Sequence, residues 1–367
     1  MSRDTNLIYI GLSRLHRNRA NLIQTLHTIA AFEQIGISAT LYLPPWKRNA
    51  ELMQKLTSFG ISQELKVVPV QFLHSRWKFL NYKPFIYTHS PVFRRANAIY
   101  TRSPNISIAL ANANIIHNLE IHDVDTLAKK GLLRSIIEKH QTGKISWLVP
   151  ISHAAANILK DAGANPEKMH VSPSGVDIKA YHGSSSFDPE RLDRPRINYI
   201  GKATKHHGLD IFIHLAKNNV GDITLIGNQE GILPGGINIT IKPFIPHCEV
   251  PEWYNNTDIV LLPYQESLEH INSISPMKLF EALASGRPII ASNLPAFREI
   301  VKHEESALLV DPKDVNAWLQ AVWRLRNDPD LAVRMAKAGH HLAKQYDWKQ
   351  RATNIANALG WKLPELR

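Results

Sequence analysis

The chain has 367 residues, 44% of them hydrophobic, with a single cysteine and a formal net charge of +11. That length exceeds one ordinary core and suits two domains; the lone Cys248 excludes an internal disulfide framework, and no apolar run is long enough for a membrane-spanning helix. The charge is one-sided: residues 1–175 carry 21 Lys and Arg against 10 Asp and Glu, whereas residues 176–367 carry 22 of each, so an anionic partner is expected on the first half.

Short apolar strands alternating with helical periods predict a parallel α/β sheet in each half. The opening stretch MSRDTNLIYIGLSR contains only a six-residue apolar run, too short for the core of a signal peptide, so a cytoplasmic location is expected. The first strand, LIYIGL at 7–12, contains Gly11 and runs into Arg14, Arg17, Asn18 and Arg19. This basic loop suits an anionic acceptor as well as it suits solvent. A helix at 18–35 and strands at 38–44 and 66–70 follow. Residues 74–95, HSRWKFLNYKPFIYTHSPVFRR, interleave Arg76, Lys78 and Lys83 with Trp77, Phe79, Tyr82, Phe85 and Tyr87. Two readings stand: a patch that docks on an anionic membrane surface, or a mixed loop with its aromatics in the core.

Strands at 98–102, ending in Arg102, and at 115–121 come next. The second runs into Glu120, His122 and Asp123. Alternation puts Glu120 and His122 on one face, so the glutamate can orient the imidazole, while Asp123 suits the cap of a helix over 124–140. A strand at 147–152 closes the first half. Residues 172–195, rich in Ser, Pro, Gly and Asp, break the pattern. Fresh strands at 196–201, 222–227, 237–244, 258–264, 287–292 and 307–310 then alternate with helices at 207–218, 276–285 and 314–327. The expected domains are 1–175 and 176–345, with a cleft between them and ligands at the carboxyl ends of strands.

The stretch SISPMKLFEALASGRPIIAS, 273–292, carries the sharpest chemical signal. Ser275 suits an N-cap, Pro276 the first helical position and Gly286 the residue just past the end. Met277, Leu279, Phe280, Leu283 and Ala284 form an apolar stripe, with Lys278, Glu281 and Ser285 on the other side. A lysine in the first turn opposes the helix dipole by ~0.3–1 kcal/mol. That cost vanishes if an anion sits there, where amides, dipole and ammonium all favour phosphate. Glu281, one turn on, suits sugar hydroxyls. A solvated Lys–Glu pair remains the bland alternative.

In order and spacing these segments resemble the retaining GT-B glycosyltransferases, most nearly the group called family 4. SPMKLFEALASGRPIIAS followed by Glu299 is similar to that family's donor-nucleotide segment, in a Ser-Pro-x-Lys form. IYTRS (99–103), LEIHD (119–123), SPSGVDIKAYH (172–182), YIGKATKHHGLD (199–210), DIVLLPY (258–264) and YDWKQRATNIANAL (346–359) are similar to its other conserved pieces. The resemblance implies two Rossmann-like domains, with a last helix at about 346–367 that crosses back to the first. It also implies transfer of a sugar from a nucleoside-diphosphate donor to an acceptor hydroxyl with retention. The donor would meet Gly11, Gly201, Lys202, Lys205, Ser275, Pro276, Met277, Lys278, Leu279 and Glu281. His122 and Glu281 would be catalytic, and Arg14, Arg17, Arg19, Arg76, Trp77, Lys78 and Arg102 would lie on the acceptor or membrane side.

The departures are specific. The family's first glutamate falls on Ser273, Lys202 replaces the usual arginine, and the usual lysine of the phosphate loop falls on His207. Exchanging arginine for lysine loses the bidentate fork but keeps the charge. No Asp-x-Asp pair or His/Cys cluster calls for a metal, so a metal-independent reaction without cofactor is expected. The implied role is polysaccharide or glycolipid synthesis, with a saccharide or lipid-linked acceptor, at the cytoplasmic face of a membrane. Competing readings are a GT-B-like sugar-nucleotide epimerase, a GT-B scaffold without activity, and a non-enzymatic binder of anionic ligands. Against a nucleic-acid partner, the basic residues form no reading helix or RNA-binding sheet motif.

Overall fold

The computed structural model describes residues 5–46, 49–183, 187–231, 233–271 and 273–363. Residues 184–186 of the expected linker and 364–367 of the expected crossover segment lie outside them. The chain divides into two compact units, Met1–Gly175 with Ser273–Ser275 and Trp348–Arg367, and Val176–Asn272 with Pro276–Asp347.

In the first unit the strands are β1 (Asn6–Ile10), β2 (Ser38–Leu43), β3 (Lys66–Pro69), β4 (Ala98–Thr101), β5 (His117–Ile121) and β6 (Ile145–Pro150). All pair in parallel, in the order β3-β2-β1-β4-β5-β6. This is the doubly wound arrangement, in which the strand order reverses beside β1 and leaves a crevice at the carboxyl ends of β1 and β4. β1, β4 and β5 are buried almost throughout, as strands covered on both faces must be. Their side chains pack with Phe85, Phe93, Ile106 and Leu110 on one flank, and with Ile136, Ile137 and Leu159 on the other.

The helix expected at 124–140 is two helices, Val124–Lys129 and Leu132–Gln141. The break is at Gly131, whose φ of 66° is left-handed and ends the first helix. Asp123 caps the first of them, its Oδ1 accepting from the amide of Thr126 at 2.8 Å. The last helix, Trp348–Ala358, belongs to this unit. It lies on the helix Ala20–Gln34, with Trp348 stacked on His27 at 5.7 Å between ring centroids.

In the second unit the strands are β7 (Arg196–Ile200), β8 (Asp222–Ile226), β9 (Ile239–Lys242), β10 (Val260–Leu262), β11 (Ile289–Ser292) and β12 (Leu308–Val310). They form parallel sheets ordered β7-β8-β9 and β10-β11-β12. The sheets adjoin at β7 and β10: the Asp258 amide donates to the Arg196 carbonyl at 2.9 Å. The Asp258 carboxylate in turn grips the Arg196 guanidinium at 2.9 and 2.8 Å. The combined order, β9-β8-β7-β10-β11-β12, repeats that of the first unit, and its reversal lies between β7 and β10. One core of Ile197, Tyr199, Phe212, Leu225, Leu261, Trp318 and their neighbours holds both sheets.

Candidate functional site

The candidate residues gather at the carboxyl ends of the central strands in each unit. In the first, Gly11 follows β1 and is buried, its amide donating to the Tyr42 carbonyl at 2.9 Å. A Cβ there would approach the end of the Leu43 side chain to 2.9 Å, so a larger residue would have to displace that leucine. Of the basic loop beyond it, Arg17 and Arg19 are exposed and Arg14 donates to the Ser75 hydroxyl.

His122 follows β5, with its Nε2 against Glu120 Oε1. The other oxygen of Glu120 accepts from Tyr100 at 2.7 Å and meets Arg351 at 3.1 Å. Burial pushes the Glu120 carboxyl up, but Arg351 above all, then His122 and Arg102, outweigh it and hold the group well below the usual range. Burial, with Arg102 adding to it against the pull of Glu120, lowers His122 to about 4. At neutral pH the imidazole is therefore uncharged. Its proton sits on Nε2, facing an ionised carboxylate, and Nδ1 is left as an acceptor. In that state His122 offers an acceptor nitrogen rather than a positive charge.

Arg351 is the hub that sequence reading missed. It donates to the carbonyl of Pro173 at 2.7 Å and reaches Ser172 and Thr28, while its side chain is only 6% exposed. The signal was an arginine on the buried stripe Trp348, Arg351, Ala352, Ile355 and Ala356. Arg102 donates to Gln24 Oε1 and the Asn21 carbonyl, each at 3.0 Å. Gln24 donates to Ser174, and the Ser174 hydroxyl donates to the Ser275 carbonyl at 2.9 Å. The Ser174 amide donates to the Ser275 hydroxyl at 2.8 Å.

That last bond corrects the capping expectation. The helix is Met277–Ala284, the extended residue before it is Pro276, and no side chain caps it. The Ser275 hydroxyl is engaged by Ser174 instead, and Leu279 spends its amide on the Pro276 carbonyl at 3.0 Å.

In the second unit Gly201 follows β7 with φ 134°, and a Cβ on it would stand 2.4 Å from Lys278 Nζ. Glycine here leaves room for the ammonium to lie against the backbone. Lys278 donates to the Tyr199 hydroxyl at 2.8 Å and sits 4.2 Å over the Tyr199 ring and 5.6 Å from that of Tyr264. Burial lowers its pKa to about 8, with Glu281 pulling the other way. The solvated Lys–Glu pair is overturned: Lys278 is half-buried and Glu281 is buried, its Oε1 held by His247 at 2.8 Å. Met277 is half-buried as well.

Gly208, φ 73°, lets the loop after β7 press on Pro263, whose carbonyl oxygen would lie 2.3 Å from an added Cβ. His207 bonds Thr204 at 2.8 Å, and burial, then Lys278 and Lys202, lowers it to about 4. Lys202 is exposed and paired with Glu230; Lys205 is exposed. Lys278 is thus the most deeply set of the three expected phosphate ligands. Tyr199 and Tyr264 were missed by sequence reading, because aromatic and apolar runs in strands read as core; His247 was missed because it lies in the short turn His247–Glu249, 34 positions from the Glu281 it meets. Among the described residues no group of three or more His, Cys, Asp or Glu is arranged to hold a metal ion.

Segment 74–95 divides. Tyr82 and Phe85 are buried in the core, and Trp77 is half-buried between Phe72 and Phe79. Phe79 and Tyr87 are exposed, as are Arg76 and Lys78. Among the described residues, no helix is long and apolar enough to cross a membrane.

Residues 194–328 match the family described as glycosyl transferases group 1. D-inositol 3-phosphate glycosyltransferase of Xylanimonas cellulosilytica is 23% identical over 226 residues, 54% of this chain and 52% of that protein. The amylovoran biosynthesis glycosyltransferase AmsK of Erwinia amylovora is 25% identical over 213 residues, 52% of each. The match thus spans about half the length of these curated relatives. The crystal structure of Anabaena HepE in complex with UDP and glucose superposes with a TM-score of 0.71 at 16% identity, covering 97% of this chain and 99% of that one. The two Rossmann-like units, with their parallel sheets, have the fold of the GT-B glycosyltransferases.

Proposed function

We propose that the protein is a retaining glycosyltransferase that moves a sugar from a nucleoside diphosphate to an acceptor hydroxyl. The observation that carries this reading is Lys278: an ammonium in the first turn of a helix, at the end of β7, held against Gly201 and two tyrosine rings. Such a group, together with amides at a helix start, favours a diphosphate and the charge that develops on it as it leaves. Lys202 supplies a second cation from the rim, on exchanging Glu230 for phosphate. Glu281 accepts hydrogen bonds from the nucleoside sugar, and His122 accepts one from a hydroxyl of the transferred sugar. The bond from the anomeric carbon to the diphosphate breaks, the acceptor oxygen bonds the same face, and its proton passes to a diphosphate oxygen. No metal or cofactor enters this scheme. The match of the second unit to group 1 glycosyl transferases supports the donor assignment.

The acceptor is a saccharide or a lipid-linked saccharide, and the site of action is the cytoplasmic face of a membrane. The basic first half and the exposed Phe79 and Tyr87 support this, as does the polysaccharide biosynthesis named for AmsK. A screen of UDP-, GDP-, ADP-, TDP- and CDP-sugars by thermal shift tests the reading, because the true donor raises the melting temperature by mass action. UDP-sugars come first, given the ligand named for HepE. No shift from any donor refutes the proposal, and turnover that needs no acceptor replaces it with an epimerase.

The variant His122→Ala is expected to lower kcat by about 10²-fold, the order seen when one positioned hydrogen bond to a reacting group is lost. Nucleotide affinity should stay within a fewfold of the wild type in calorimetry. A kcat near the wild-type value assigns His122 to structure alone.

A further inference from the structure

A groove of about 1300 Å³ lies between the helices Lys83–Arg95 and Pro104–Asn112 of the first unit. One stripe of each helix lines it: Lys83, Ile86, Tyr87, Ser90 and Arg94 from the first, and Asn105, Ala109 and Asn112 from the second. Both sets recur at steps of three and four residues, the spacing by which a helix turns one face to a neighbour. Stripes that pack directly on each other are apolar. These carry two cations, a hydroxyl, a phenol and two amides, and an open space stands between them. Ile86 and Phe93 join the groove to the core beneath.

The lining is polar and of one charge. Lys78, Lys83 and Arg94 line it and no Asp or Glu does; from residue 65 to 119 there are seven Lys and Arg and no acid. Asn81, Asn105, Asn112 and Asn114 add four amides. Among the described residues, none of these seven side chains is engaged in a hydrogen bond or ion pair. Asn97, by contrast, gives its Oδ1 to the amide of Asn6 at 2.9 Å. An asparagine amide holds two donors and an acceptor, so it answers a hydroxyl, which both gives and takes a hydrogen bond. Tyr87, 83% exposed, offers a flat apolar face at the rim. Many hydroxyls, an apolar ring face and negative charge are what an acidic saccharide combines. A nucleic-acid strand calls instead for a row of stacking aromatics, and Tyr87 is the one exposed aromatic side chain among the described residues of the lining.

The groove has a direction. The helix Lys83–Arg95 leads into β4 and Pro104–Asn112 leads out of it, so Lys83 and Asn105 lie toward the carboxyl end of that strand, and Arg94 and Asn112 toward its amino end. Arg102, on the expected acceptor side, leaves β4 just before Asn105. The 13 residues of the first helix span about 20 Å, room for several linked sugar rings. We propose that this groove holds an acidic saccharide chain as acceptor. Its anionic groups meet Lys78, Lys83 and Arg94, its hydroxyls meet the asparagine amides, and the end to be extended points toward Arg102. The proposal rests on the reading of the acceptor as a saccharide and narrows it to an acidic one; no residue of the groove belongs to the donor site.

Titration calorimetry of the full chain without donor tests it. The probes are tetragalacturonate, tetrasialate and a phosphorylated mannopentaose, with maltotetraose as the uncharged control. The wild type should bind at least one acidic probe, and that one at least tenfold more tightly than maltotetraose. Replacing both Lys83 and Arg94 with Gln should weaken it about tenfold, each exposed ion pair contributing a factor of up to about five. Replacing both Asn105 and Asn112 with Ala should also weaken it about tenfold, at unchanged net charge. All four side chains are exposed, so the variants should fold as the wild type does. Binding of none of the acidic probes overturns the proposal, and so does wild-type binding by both double variants. Equal affinity for maltotetraose overturns the role of the charge. A loss confined to the Lys83 and Arg94 variant leaves surface attraction and overturns the saccharide site. Octaglutamate or an eight-nucleotide oligothymidylate bound as tightly replaces the saccharide with a peptide or a nucleic acid. A sugar-nucleotide thermal shift without any acidic saccharide bound fails this proposal alone; an acidic saccharide bound without any sugar-nucleotide shift fails the donor reading alone.

Discussion

Lys278→Met is expected to lower kcat/KM for the sugar nucleotide by 10³-fold or more while the protein stays folded. Two effects multiply. A charge-assisted hydrogen bond to the diphosphate contributes about 1.5–3 kcal/mol to binding. Loss of one preorganised group facing the developing leaving-group charge costs a further roughly 10²–10³ in kcat. Methionine keeps most of the stem, so the packing on Tyr199 and Tyr264 survives. The wild type should also show the lysine in its pH dependence. Burial sets its pKa at about 8 in the free protein, so the ammonium is present below pH 8 and is lost as pH rises through it. Donor affinity should therefore fall about tenfold per pH unit above 8, and the methionine variant should lose that limb. A flat profile in the wild type, or unchanged kcat/KM in the variant, removes Lys278 from the donor site.

Arg351→Met should destabilise the first unit by about 3–5 kcal/mol in chemical denaturation, because it leaves the Glu120 carboxylate buried without its main partner. The loss depends on pH in a definite sense. Glu120 has a folded pKa well below its unfolded value, so it contributes stability that is present above the unfolded carboxylate range and lost as pH falls toward the folded value. In the variant the carboxyl loses that depression, and the acid limb of the stability curve should shift toward higher pH. The double variant with Glu120→Gln tests the assignment: removal of the buried charge should restore part of the loss. If the double variant is as unstable as the sum of the single ones, the two residues act separately.

The twelve strands of the described residues were legible in the sequence, because short apolar runs bounded by Gly, Pro and Asp can be placed without tertiary knowledge. The break at Gly131 was not, since Leu127 and the residues from Leu132 onward keep a helical period across the glycine. Lys278 and His122 stood out through their local setting. What surrounds them did not, because Tyr199, Tyr264, Gln24 and Arg351 come from distant segments that only the fold assembles. Ser275 shows the limit of a local rule: an N-cap assignment assumes a free hydroxyl, and Ser174, a hundred and one positions away, claims it.

The contact between Gly201 and Lys278 also binds the two positions into one evolutionary unit. A methyl group at 201 and an ammonium at 278 cannot occupy the same space. A side chain at 201 must therefore wait for Lys278 to swing aside or shorten, and must also bear a φ of 134°, whereas position 278 can change first. Among homologues that share this backbone, a side chain at the first should travel with a shorter residue at the second.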